Sequence, residues 1–119
     1  MARDGWHILK EEGALTLARR LPPQFDFSVT TRIEGGAGLR KTRLARQVRQ
    51  DMWRALQSLR GFAPVVQLHE VGADLDITAG GAVAGRFPKT QCETRLGAVL
   101  NDPDRRARWV RHAAQETAG

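Results

Sequence analysis

A chain of 119 residues with 41% hydrophobic content can close one modest core without disulfides or a structural metal, so a single domain over residues 1–119 is expected. Its net charge of +6 argues against an acidic, solvating polypeptide and favours a partner that carries negative charge. The lone cysteine, Cys92, rules out an intramolecular disulfide framework and fits a reducing compartment.

The first residues, Met1 to Trp6, lack the apolar run of a secretory signal, and no segment approaches the roughly 18 apolar residues of a membrane-spanning helix. A cytoplasmic protein without membrane contact is expected. Trp6 to Leu9 and Ala14 to Leu21 are the first two elements, separated by a turn at Glu11-Glu12-Gly13. The second segment fits both periods: Leu15-Thr16-Leu17 alternates, while Ala14, Leu17, Ala18 and Leu21 follow helical spacing. We take it as a strand, ended by Pro22-Pro23 because neither proline can donate a hydrogen bond.

Phe25 to Ile33 is the clearest strand, with Phe25, Phe27, Val29 and Ile33 on one face and Asp26, Ser28, Thr30 and Arg32 on the other. Gly35-Gly36-Ala37-Gly38 breaks it ahead of a long amphipathic helix over Leu39 to Arg60. At 100° per residue, Leu44, Ala45, Val48, Met52, Ala55, Leu56 and Leu59 fall within an arc of about 120°, the width of a core-facing stripe. Beyond the stop at Gly61, Pro64 to Val71 and Asp74 to Ala79 pair as a hairpin around Gly72-Ala73. Gly80 to Gly85 is flexible by composition. A helix over Gln91 to Leu100 follows, with Thr90 and Glu93 at capping-box spacing, and Asp102-Pro103 starts a last helix reaching about Gln115.

This order predicts an α+β fold: an antiparallel or mixed sheet of four to five short strands against one long central helix, with two short C-terminal helices. Should the strands either side of the long helix run parallel, their connection should cross right-handed.

Charge is concentrated on the central helix. Between Leu39 and Arg60 there are seven basic residues and one acid, Asp51, so the rest of the chain sums to zero. An excess of arginine can reflect genome composition, since only Lys10, Lys41 and Lys89 are lysine; its localisation is the more informative fact. Arg43, Arg46, Arg49, Arg54 and Arg60 surround Trp53 on the polar side of the wheel. Guanidinium groups there would take phosphates and release counterions, and the indole would stack on a base. The competing reading folds the C-terminal helices over this face and buries Trp53 beside Trp109 or Val110.

The glycine loop carries a second, weaker pattern. Gly35, Lys41 and Thr42 have the spacing of G-x-x-x-x-G-K-[ST], but Arg40 stands where the second glycine should be and no magnesium partner is evident. Nucleotide hydrolysis is therefore not expected, although Gly36, Gly38, Lys41 and Thr42 could hold one anion at the helix start.

No cofactor or metal is expected: His7, His69, His112 and Cys92 lack ligand spacing, and a solvated strand face explains Glu70, Asp74 and Asp76 more simply than a cation site. Ser28, Ser58 and Cys92 sit in no recognisable nucleophile motif. The leading expectation is a non-catalytic nucleic-acid-binding module. The alternative is an interaction subunit or assembly factor that meets an acidic protein or forms a homodimer, with Trp53 as anchor. An enzyme would require a cleft joining Asp26, Glu70 or Asp74 to a histidine.

Overall fold

A computed structural model describes residues 5–114. The elements run β1 (His7–Glu11), β2 (Ala14–Ala18), β3 (Phe27–Ile33), a short 3-10 turn (Gly36–Gly38), α1 (Lys41–Ala55), β4 (Phe62–Val71), β5 (Asp74–Val83), α2 (Lys89–Leu100) and α3 (Pro103–Ala114). The fold is α+β, with five strands in the order β1-β2-β4-β5-β3 and every neighbouring pair antiparallel. Two tight hairpins, turning at Gly13 (φ +73°) and Gly72 (φ +62°), build the β1–β2 and β4–β5 pairs. Both turns need the left-handed backbone that glycine adopts at little cost. Because β3 and β4 each run antiparallel to β5, they are parallel to one another with β5 between them.

Alternation along the strands sends Leu15, Leu17, Val66, Leu68, Leu75, Ile77 and Ile33 to one face, where Leu44, Val48 and Met52 of α1 and Leu96 and Leu100 of α2 complete the core. The central-helix stripe is thus the middle of the interior, with Leu44, Ala45, Val48 and Met52 fully buried. The opposite sheet face carries the register row Leu9, Thr16, Gln67, Thr78, Thr30 and, beside it, Glu11, Ala14, His69, Asp76, Arg32. It is held by side-chain pairs: Thr30 Oγ1 lies 3.0 Å from Thr78 Oγ1, and Arg32 grips Asp76 at 2.6 and 3.2 Å.

Several boundaries differ from the sequence reading, including the end of β2 (Ala18, not Leu21) and the starts of α1 (Lys41, not Leu39) and β4 (Phe62, not Pro64). The central helix stops at Ala55, not Arg60, and Leu56 leaves it at φ −120°. Pairing of Phe62 with Val83 starts β4 so soon that residues 56–61 must return the chain to the sheet, overriding the apolar period. Gly80 and Gly81 are strand, not flexible linker. A Cβ there would sit 2.1 Å from the Phe27 carbonyl oxygen and 2.2 Å from that of Ala63, so only glycine admits the neighbouring backbones.

Phe25 and Asp26 precede β3; the Asp26 carboxylate accepts the Val83 N–H at 2.8 Å, a side chain prolonging the ladder. Finally, α2 begins at Lys89 behind Pro88 with no side-chain cap, which places Thr90 inside the first turn and leaves the capping box unformed. The Asp102 cap does form, accepting from the Arg105 N–H at 2.9 Å. Gln115, the expected end of the last helix, lies outside the described residues. Among the described residues no helix is long and apolar enough to cross a membrane.

Candidate nucleic-acid interface

The sheet takes one side of α1, and α3 takes one flank. The α3 chain runs antiparallel to α1: the Ala113 carbonyl accepts the Arg40 N–H at 3.0 Å, and further along Asp51 meets Trp109 and Arg108. Asp51 is only 5% exposed, and its Oδ2 accepts the Trp109 indole N–H at 2.8 Å and a hydrogen bond from the Arg108 guanidinium. A carboxylate this deep requires such donors, since burying it unpaired would be costly. Trp109 is itself fully buried.

The opposite flank is bounded by Trp6, just ahead of β1. Arg49 lies over the Trp6 ring at 4.7 Å from its centroid, and Arg19 approaches the same ring at 5.7 Å, a pair of cation–π contacts that holds both guanidinium groups close to the β1 edge. Arg49 and Asp51 stand about 160° apart around the helix axis. Between these flanks none of the described residues covers the outer face: Arg43, Arg46, Gln50, Trp53 and Arg54 are exposed, the indole at 45%.

Trp53 is therefore not covered by the C-terminal helices, because the aromatic they bury is Trp109, on the other side of α1. Arg43, Arg46 and Arg54 form no ion pair among the described residues. Arg60 is also exposed, but it follows the helix end, so helical spacing no longer places it in line with Trp53.

Charge at the start of α1 is not arranged for helix stability, although Arg54 in the last turn is. No acid occupies its first turn, no side chain caps it, and Lys41 and Arg43 lie where the helix dipole is positive. Such placement costs on the order of 0.3–1 kcal/mol per exposed cation. Lys41 offsets its share by an ion pair with Glu70.

The glycine loop is committed to internal bonds. The Gly35 N–H donates to Asp74 Oδ1 at 2.8 Å, Ala37 N–H to the Ala73 carbonyl at 3.1 Å, Leu39 N–H to the Gly36 carbonyl at 3.1 Å, and Arg40 N–H to Ala113. Gly36 is buried, where a Cβ would stand 2.9 Å from Ile33. Of Gly36, Gly38, Lys41 and Thr42, Gly36 is buried and the Lys41 ammonium is paired with Glu70.

The acids named from the sequence are dispersed. Asp26 serves Val83, Glu70 serves Lys41, and Asp74 serves Gly35. His69 stands across from Asp76 on the helix-free sheet face, but the Arg32 hydrogen bond occupies Asp76 and holds its carboxyl below the usual carboxylate range. The same contact raises Arg32. Burial pushes the Cys92 thiol up, so it is a poor nucleophile. No group of three or more metal-ligating side chains exists among the described residues.

Of the two residues that flank this surface, one escaped the sequence reading. Trp6 looked like a strand residue, and nothing in its neighbourhood announces Arg49, 43 positions away. Asp51 was legible: it is the one acid in a basic segment, and on the wheel it borders the apolar stripe next to Leu44. No protein-family model, curated protein or solved structure matches the chain.

Proposed function

We propose that the outer face of α1 binds nucleic acid and that the protein acts in the cytoplasm as a non-catalytic binding module. One observation carries the reading: Trp53 stays 45% exposed among Arg43, Arg46 and Arg54 while the C-terminal helices pack on a different flank. The exposed indole and the unpaired Arg43 and Arg46 gain nothing for the fold. Against a polyanion, each guanidinium would neutralise a phosphate and release a counterion, and the indole would supply an apolar, polarisable face. Three or four such contacts predict a slope of log K against log salt of roughly −2 to −4.

The test is fluorescence-anisotropy titration of labelled oligonucleotides at two salt concentrations, with wild type and the Arg43→Ala, Arg46→Ala double variant. Weaker binding and a shallower salt slope in the variant are expected. Absence of binding at low salt, or a variant indistinguishable from wild type, would sink the proposal.

A second reading has the same Trp53 as the anchor of a protein interface, with a homodimer or an acidic partner against the arginines. Light scattering on wild type and Trp53→Ala separates the two. A wild-type dimer that the variant loses favours the interface, whereas a monomer in both removes the homodimer.

A further inference from the structure

We infer that the ligand of this face is single-stranded nucleic acid rather than a duplex, an inference that rests on the nucleic-acid reading above. The first argument is shape. A helix that reads a duplex enters a major groove about 12 Å wide with most of its own 10–12 Å diameter. Here α1 cannot protrude in that way. Its inner side lies on the sheet, α3 flanks it through Asp51 and Trp109, and the Trp6–Arg49 stack flanks it on the other side. What remains is a shallow strip along a helix of about 22 Å.

The second argument is the chemistry of the strip. Trp53 projects from it with 45% of its surface exposed, one helical turn from Arg49, so an aromatic, a guanidinium and the Trp6 ring succeed one another across the helix. The bases of a duplex are stacked on each other and show only their edges in the grooves, so a duplex offers an indole face nothing to stack on. An unpaired base does, without regard to its identity, while Arg46 and Arg54 on either side take the backbone phosphates. Gln50, exposed one turn before Trp53, adds a donor and an acceptor for a base edge or a sugar.

The experiment uses a fluorescein-labelled strand of about 15 nucleotides and mixed sequence, alone and annealed to its complement, at about 50 and 200 mM salt. Wild type, Trp53→Ala and Trp53→Phe are compared, with circular dichroism to verify folding of these surface variants. Single strands should bind at least about tenfold more tightly than the duplex, and total tryptophan fluorescence should be quenched on binding more in wild type than in Trp53→Ala. Trp53→Ala should weaken single-strand binding roughly 5- to 150-fold, the range for loss of one stacked base, with an unchanged salt slope and partial recovery in Trp53→Phe. Duplex binding as tight as single-strand binding, or an effect of Trp53→Ala that is equal on both, overturns the single-strand inference and leaves the nucleic-acid reading standing. If neither form binds at low salt, both readings are overturned.

Discussion

Asp51 offers the sharpest test of how the C-terminal helices are held. Replacing it by alanine strips the acceptor from the buried Trp109 indole N–H, at a cost of about 1–3 kcal/mol for an orphaned donor. The Arg108 contact adds less, because that side chain is 37% exposed and can turn to water; a partly screened pair contributes roughly 0.5–1 kcal/mol. The sum is about 1.5–4 kcal/mol, a large share of the 5–15 kcal/mol typical of a small domain. Asp51→Asn keeps an oxygen for the indole and should lose only about 1 kcal/mol. Urea unfolding followed by far-ultraviolet circular dichroism measures both, and the cycle with Trp109→Phe should show a coupling above about 0.5 kcal/mol. An Asp51→Ala variant within about 0.5 kcal/mol of wild type, or strict additivity in the cycle, would refute the reasoning.

Two further outcomes follow from the sheet. Gly80→Ala should destabilise far more than Gly72→Ala, by several kcal/mol against about 1–2, because its Cβ meets the Phe27 carbonyl oxygen whereas the Gly72 Cβ meets only a left-handed backbone in open space; equal urea midpoints would remove the close-approach argument. Asp76 titrates below its ordinary value of 3.8 because Arg32 donates to it. A depressed folded-state pKa contributes stability that is present above the ordinary value and lost as pH falls through the folded one, so the effect is confined to strongly acid solution. Carboxyl NMR titration should show Asp76 returning towards its ordinary value in Arg32→Ala, and no movement would contradict the assignment.

Much of the fold was legible because its elements obey strong local rules. The α1 stripe, both hairpin turns and the Asp102 cap each follow from a period or from one residue's conformational preference. What failed depended on distant backbone. The helix ends early because Phe62 must reach Val83, and the Gly80-Gly81 pair reads as a linker until Phe27 and Ala63 are known to lie against it. For the candidate interface, the arginines and Trp53 stood out through local charge density. Whether Trp53 was covered turned on which tryptophan α3 buries, and the helical wheel of α1 could not decide between its flanks. The position of Asp51 beside the apolar stripe contained that answer in part, since a carboxylate at a core margin needs a donor from elsewhere.

Arg106 joins the packing of α3 to the protection of a sheet edge. From α3 it donates to Thr31 Oγ1 at 2.9 Å, to the Leu100 carbonyl at 2.9 Å and to the Arg32 carbonyl at 2.5 Å. The last of these lies on β3, an outermost strand whose outward carbonyls could otherwise template pairing with a neighbouring molecule. Docking of the final helix and resistance to edge-to-edge aggregation therefore share one side chain. Any event that lifts α3 loosens the core and, in the same motion, frees the Arg32 carbonyl on that edge strand, so the two effects of losing the C-terminal helix arrive together.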